Sequence, residues 1–508
     1  MAKDPGASLA EADEGEIRVT PLRWYVLAVF ASCAFMQGLV WAIPGPISQV
    51  LMDDFDCDND CDALLVNWGP IMFIIFTLPY AWFIDRSLRW STISLALLVA
   101  LSGWTRVAAI YTTDKSLVVT LLHIAQALNA AGGPVSMGAV SHLSQLWFPA
   151  GERSFATAVA AETNMMGVAV AFLLGPAMAP VGVGAGGLSA LWWLLAVPPT
   201  AVLLLALVYL PDSPEHAPSR SARRQRGAAD TAGGAEEHGH TLLAHDGLSP
   251  TAVSGSIQSP GASVSEPGSA AGWWRRLVVL VTNLDFAVLA MGYAFSAGVY
   301  SGWSPLLSIN LRAVHVDETA AGWIGFCATM SGAAGGLLVG LVHARVGRIR
   351  PILLTLLSLA TGAFVVFALA CQPSGDGTVL PPSLPLLFAS ATVGGICVNA
   401  LIPLMFEGSV EAVFGAVDEG TIGTVLALAN NVCCLAFLVV PVGHGSTAWM
   451  NWTMAAAVAV FVLVFALWTE RGRRKAIDDD APAGHGRGQP SGGKSAPLLM
   501  LDGEEPEV

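Results

Sequence analysis

Charge is missing from long parts of this chain. Trp24 to Met52, Ala63 to Ile84, Phe286 to Leu311 and Thr319 to Ala344 contain no Asp, Glu, Lys or Arg, and Thr163 to Pro211 and Thr421 to Thr469 are free of charge for 49 residues each. About 20 apolar residues in a helix cross the hydrocarbon core of a bilayer. Each shorter stretch therefore holds one span, and each long one holds two with a hairpin between. Of the 508 residues only 12% are charged, against about a quarter in soluble domains. A soluble enzyme and a nucleic-acid binder are excluded on this ground. The net charge of −14 gathers outside the apolar stretches, with six Asp between Asp53 and Asp62. Residues 1–22 are polar and acidic, so the first apolar segment reads as a span and not as a cleaved signal.

Breaks at charges and at Gly/Pro clusters predict an all-α membrane protein of twelve spans, centred at about residues 33, 74, 100, 130, 167, 200, 297, 330, 361, 395, 433 and 459. Orientation follows from the basic residues. With both termini cytoplasmic, the inner side receives Arg18, Arg23, Arg86, Arg89, Arg153, Arg275, Arg276, Arg345, Arg348, Arg350, Arg471, Arg473, Arg474 and Lys475, and the outer loops receive only Lys115 and Arg312. The opposite topology would invert the positive-inside bias. Pro211 to Gly272 is rich in Ser, Gly, Ala, Pro and Arg and has no apolar periodicity, which reads as a disordered linker. The expected organisation is a cytoplasmic tail (1–22), a six-helix bundle (23–210), a cytoplasmic linker (211–276), a second six-helix bundle (277–470) and a cytoplasmic tail (471–508).

The halves look like parallel repeats. The two long charge-free stretches lie 258 positions apart, and Arg86 with Arg345, Trp41 with Tyr300, and Pro46 with Pro305 are each separated by 259. Two such halves joined by a long middle loop have the architecture of the major facilitator superfamily. The loop after span 2, Ala81-Trp-Phe-Ile-Asp85-Arg86-Ser-Leu-Arg89, resembles that superfamily's loop signature, with both glycines replaced. After span 8, Gly340-Leu-Val-His-Ala344-Arg345-Val-Gly347-Arg348 keeps the glycines and arginines but has Ala344 for the acid. The resemblance makes Asp85, Arg86, Arg89, Arg345 and Arg348 gating residues, a reading that outweighs the alternative of ordinary positive-inside arginines.

Ionisable and strongly polar side chains inside spans are expensive, so each is a functional candidate. Arg106 lies towards the outer side of span 3, and Glu162 about two turns into span 5 from the inside, roughly 12 Å deep. Glu162 suits a proton or cation site, or a carboxylate satisfied by Ser or Thr near the interface. Asn399, Pro403, Glu407 and Glu411 recur every four residues along one face of span 10. Glu407 and Glu411 are then gate or coupling acids, or hydrogen-bonding structural ones. Gln37 and Trp41 in span 1, Gln126 and Asn129 in span 4, Tyr293, Ser296, Tyr300 and Trp303 in span 7, and Asn430 and Asn431 in span 11 could line a cavity for an organic solute with a ring or a cationic nitrogen. An interfacial aromatic belt is the alternative, and suits Trp303 better than Tyr300. His123 and His142 near the ends of span 4 could sense pH, or simply be interfacial.

Cys57 and Cys61 flank an acidic loop on the outer side, where a disulfide is permitted. The Asp-x-Asp-x-Asp spacing there hints at Ca²⁺, but the Gly and bidentate Glu of a calcium loop are missing, and a solvated acidic loop fits better. The other six cysteines read as apolar packing residues. Nothing in the sequence suggests a metal cluster, a cofactor, a nucleotide loop or a nucleophile triad.

Met36-Gln-Gly-Leu-Val-Trp41, Gly45-Pro46-Ile47, Ala131-Gly-Gly-Pro134, Leu146-Trp147-Phe148-Pro, Glu152-Arg153 with Ala156-Thr-Ala158, Tyr300-Ser-Gly-Trp303-Ser, Gly322-Trp323-Ile-Gly325-Phe326, Pro403 with Phe406-Glu407 and Val410-Glu411, and Glu419-Gly420 together resemble solute carrier family 49 over about residues 22–470. Within it the Gln-Gly-Leu-Val-Trp and Gly-Trp-Ile-Gly-Phe strings are most similar to the disrupted in renal carcinoma branch. The feline leukaemia virus subgroup C receptor branch is the other relative. The resemblance implies a transporter working by alternating access, monomeric, with a small-molecule substrate and the bilayer as its partners. For the renal-carcinoma branch it implies a lysosomal protein exporting pyridoxine with protons as coupling ion. For the receptor branch it implies choline, ethanolamine or haem, and a plasma-membrane site. It also places Tyr300 on the tyrosine lining the choline site and Asn431 where relatives carry glutamine. Leu498-Leu499 and Leu242-Leu243 are imperfect dileucine signals, with Lys494 and Glu237 in place of a well-spaced acid. A membrane nutrient sensor that moves nothing is the reading from another class.

Overall fold

In a bilayer every backbone N–H and C=O must find its partner inside the chain, and a helix achieves this within one segment. The computed structural model describes residues 19–149, 152–179, 187–218, 270–374, 377–413, 417, 419–440 and 447–470. Among them are twelve helices long and apolar enough to cross a membrane. They are α1 (Leu22–Ala42), α2 (Asn59–Arg86), α3 (Leu88–Ala109), α4 (Lys115–Ala131, continued as Gly133–Trp147), α5 (Arg153–Met178), α6 (Ser189–Val208), α7 (Leu284–Trp303), α8 (Glu318–Val346), α9 (Ile349–Cys371), α10 (Leu384–Ala412), α11 (Glu419–Leu438) and α12 (Ala448–Leu467). The dileucines, both tails and most of the expected linker fall outside the described residues. The end of that linker is helical from Ala270, in a helix Ala270–Thr282 that leads into α7.

The polar residues that interrupt the apolar runs start the helices. Asp58 accepts from the Cys61 N–H at 2.9 Å, Asp114 from Ser116 N–H at 3.0 Å, Asn283 from Phe286 N–H at 3.0 Å and Asp317 from Ala320 N–H at 3.2 Å. Each satisfies a donor that the first helical turn leaves free. Gly347 ends α8 in the left-handed region, φ 65°, where glycine alone has no steric cost. A two-residue hairpin, β1 (Pro373–Ser374) and β2 (Gly377–Thr378), pairs antiparallel between α9 and α10.

The helices form two six-helix bundles. In the first, α1 packs on α5 and α3 on α4 and α6; in the second, α7 packs on α11, α8 on α10, and α9 on α10 and α12. Each bundle has its own apolar core. The α1–α5 crossing is close because small residues face it: a Cβ at Gly38 would lie 2.3 Å from the Asn164 carbonyl oxygen, and one at Gly167 would lie 2.1 Å from that of Phe35. The bundles meet along α5 with α8 and α2 with α11.

Candidate functional site

Polar contacts across that meeting plane are found at one end, while α11 also touches Gly133–Trp147 of α4. For clarity, the end carrying Arg86 and Arg345 is called the basic end, and the other the far end. At the far end, Asn67 on α2 donates to the Leu438 carbonyl of α11 at 3.0 Å. Glu318 at the start of α8 accepts from the Gln49 backbone N–H at 2.7 Å and lies 3.5 Å from Ser48 Oγ. Arg312 donates to Ser48 Oγ at 3.1 Å, touches Met52 Sδ, and stands 3.8 Å from Glu318. The backbones press together as well. A Cβ at Gly45 would lie 1.9 Å from the Pro305 carbonyl oxygen, and one at Gly322 would lie 2.2 Å from that of Phe172. Ala63 and Val66 of α2 belong to the second bundle's core, and Phe326 of α8 packs against the first.

At the basic end, several polar pairs lie within a bundle. Arg23 pairs with Glu152 at 2.9 Å, and Asp212 accepts from the Arg89 N–H at 2.8 Å and from Ser87 Oγ at 3.1 Å. In the second bundle Glu407 meets His343 Nδ1 at 3.1 Å, and Glu470 accepts from the N–H groups of Ile349 and Arg350, both at 3.0 Å. The molecule is thus fastened across its two halves at the far end.

The expected gating residues at the basic end take separate places. Asp85 is exposed and lies within electrostatic range of His142. Arg86 covers the Trp82 ring at 5.7 Å, and Arg89 the Trp90 ring at 5.4 Å. Arg345 and Arg348 are exposed at the end of α8. Glu411 borders a small recess with Asp285, Trp468 and Glu470.

Inside the first bundle the candidates form two polar groups. Gln37 Oε1 accepts from Ser136 at 3.1 Å and from Asn164 at 2.8 Å, while Asn129 donates to the Gln37 carbonyl at 3.1 Å. Arg106, 1% exposed, donates to the Ser102 hydroxyl and to Gln126 Oε1. Gln126 passes the link on, donating to the carbonyls of Trp41 at 3.1 Å and Leu65 at 3.3 Å. Arg106 is therefore joined to neutral partners, and through Gln126 it fixes α1 and α2. Trp41 donates to the Val66 carbonyl at 3.4 Å and packs on both cores. Glu162 is half-buried on α5 and makes no hydrogen bond or ion pair with a described residue.

In the second bundle Tyr300 is buried, its ring 6.0 Å from Trp303 and 6.2 Å from Phe364. Ser304, Thr329 and Asn399 approach its hydroxyl, but none makes a well-formed hydrogen bond with it. Asn399 donates to the Gly395 carbonyl at 2.8 Å and Asn431 to that of Ala427 at 2.9 Å. Tyr293 stands edge-on to Phe406 at 5.2 Å. His123 accepts from the Trp68 indole at 3.2 Å. Cys57 and Cys61 are joined by a disulfide. Sequence reasoning missed Asn164, an amide inside a charge-free stretch, and the far-end group of Asp62, Arg312 and Glu318. The latter was visible only as loop charges, because the partners are some 250 positions apart.

Residues 30–441 match the Major Facilitator Superfamily. The chain is 30% identical over 469 residues to the solute carrier family 49 member 4 homolog of Xenopus tropicalis, covering 91% of this chain and 94% of that one. It belongs to solute carrier family 49 of the major facilitator superfamily. This family 49 transporter is also 22% identical over 438 residues to the human choline/ethanolamine transporter FLVCR2, covering 84% and 73% of the two chains. Its fold is that of a bacterial homolog of the lysosomal transporter Spinster in an inward-facing, unoccupied conformation, with TM-score 0.58, 16% identity, and 92% and 100% of the chains covered. It is equally that of a D-xylose–proton symporter, with TM-score 0.59, 13% identity, and 88% and 98% covered.

Proposed function

We propose that this protein moves a small organic solute by alternating access, and that its cargo is pyridoxine carried out of lysosomes with protons. The observation that supports alternating access is the fastening of the two bundles at the far end through Asn67, Ser48, Arg312 and Glu318. Rocking the bundles would exchange which end is sealed. In this reading both termini and the basic end face the cytoplasm, and the far end faces the lumen.

Support for a neutral, aromatic cargo comes from the side chains available on both bundles. Trp41 and Tyr300 carry aromatic rings, and Asn399 and Asn431 carry amides whose N–H groups bond within their own helices, whereas the Gln37 oxygen is already taken by Ser136 and Asn164. The unsatisfied Tyr300 hydroxyl is a hydrogen-bond partner in waiting, and buried polar groups of this kind reward a ligand that completes them. Glu162, without a partner among the described residues, is the group proposed to carry the proton. The choline reading is favoured by the aromatic pair alone, since a quaternary ammonium asks only for ring faces.

Uptake into proteoliposomes separates them. Saturable pyridoxine transport that rises with a proton gradient and loses that dependence in Glu162→Gln supports the proposal. Pyridoxine flux indifferent to both removes the coupling, and saturable choline flux abolished by Tyr300→Ala favours the rival.

A further inference from the structure

Asp62 is 0% exposed, and neither of its carboxylate oxygens has a hydrogen-bond partner. It sits on the first turn of α2, directly before Ala63 and one turn before Val66, both of which are packed into the second bundle's core. Its burial is therefore tied to closure of the far end.

The charges around it are already committed. Arg312 and Glu318 lie within electrostatic range. Arg312, however, is held by Ser48, Met52 and Glu318, and Glu318 by the Gln49 N–H and Ser48. On α2 itself, Asp58 caps the Cys61 N–H and Asp60 is exposed. From the helix Ser48–Phe55, Asp53 is exposed, in range of Glu318; Asp54 lies beside it. Beyond that helix Asp56 pairs with Lys115 of α4 at 2.8 Å. His123 of α4 is bonded to Trp68, and Arg106 of α3 to Gln126. His315 and Asp317 stand in the loop before α8, where Asp317 caps Ala320. The far-end halves of α1 and α11 carry no charged residue. The dipole of α2 favours an anion at this turn, but two of its donors are taken by Asp58: the Cys61 N–H by its side chain and the Asp62 N–H by its carbonyl.

One guanidinium thus stands near two carboxylates: it reaches Asp62 only through space, with Glu318 opposing it, and neither Asp62 oxygen is hydrogen-bonded. A buried ion without a partner neutralises itself by taking a proton. We infer that Asp62 is a proton-binding site that latches the far end: the seal closes over its protonated carboxyl and loosens when the proton leaves. In the sealed state Asp62 is 0% exposed, so it gains or loses its proton as the far end opens, to the far-side compartment. It reads the acidity of that compartment and does not carry a proton across. The inference rests on the alternating-access reading but not on proton-coupled flux.

The test uses the full-length protein with spin labels at two exposed far-end positions, Tyr111 in the first half and Val379 in the second. Pulsed electron resonance reads the far-end separation at about pH 5 and about pH 7.5. The expected result is a wild-type open population at least about tenfold larger at the higher pH. Asp62→Asn should stay closed at both, and Asp62→Glu should regain the response. Asp62→Ser is the second neutral variant should the first not fold. Glu318→Gln removes the paired acid and should keep a response. Wild-type distances that ignore pH, or an undiminished response in Asp62→Asn, would overturn the inference. Gradient-insensitive uptake with an intact pH latch would instead sink the coupling proposal and leave this one standing.

Discussion

Arg106 shows what a buried charge can be for. With Ser102 and Gln126 as its acceptors and no ion pair to a carboxylate among the described residues, its guanidinium is held by neutral oxygens, and Gln126 relays the grip to the backbones of Trp41 and Leu65. Hydrogen bonds to a charged group contribute about 1.5–3 kcal/mol. Gln126→Leu should therefore lower stability by about 2 kcal/mol in a detergent thermal melt. Arg106→Met combined with Gln126→Leu should cost less than Gln126→Leu alone, because the stranded charge goes too. An unchanged melting temperature in Gln126→Leu would show that the link is idle. The Tyr300 hydroxyl invites a parallel measurement. Tyr300→Phe should weaken pyridoxine binding by about tenfold, the worth of one hydrogen bond, while leaving the ring stack. Equal affinities for the two proteins would place the solute elsewhere. The residue scale is also where the sequence was least explicit. Tyr300, Gln37 and Asn399 were recognisable as polar or aromatic intruders in apolar helices. Asp62 was not, because its burial arises only in the fold, where its neighbours Ala63 and Val66 pack into the other half's core.

Helices carry the next level. Small residues decide how near two of them come, and the two crossings that matter have different consequences. Gly38 and Gly167 bring α1 against α5 within one bundle, so Gly167→Leu should reduce the yield of folded protein. Gly322 brings α8 against Phe172 of α5 across the bundles. Gly322→Leu should leave each bundle intact and keep the far end from sealing. The far-end label distance should then lengthen at acid pH while the melting temperature stays within a few degrees. A closed far end in that variant would show that the α5–α8 contact is not the hinge of the seal. The spans, their order and their division into halves were legible from charge-free runs, polar caps and the 259-residue offset. The helix beginning at Ala270 was not, since the segment leading into it lacks apolar periodicity.

At the scale of the whole molecule, fastening at one end is a statement about two states. An inter-bundle seal built from Asn67, Arg312, Glu318 and closely crossing backbones has to break if the far end is ever to admit a solute, and pairs across the basic end have to form in exchange. The proposed rocking is a rigid-body transition of two bundles about the contacts of α5 with α8 and α2 with α11. The measurement that tests this most directly uses two label pairs in the same protein: Tyr111 with Val379 at the far end, and Val208 with Val346 at the basic end, all exposed. Alternating access predicts opposite shifts, the far-end distance lengthening as the basic-end distance shortens, when the protein is moved from about pH 5 to about pH 7.5 or given saturating pyridoxine. Two distances that stay fixed, or that lengthen together, would contradict alternating access.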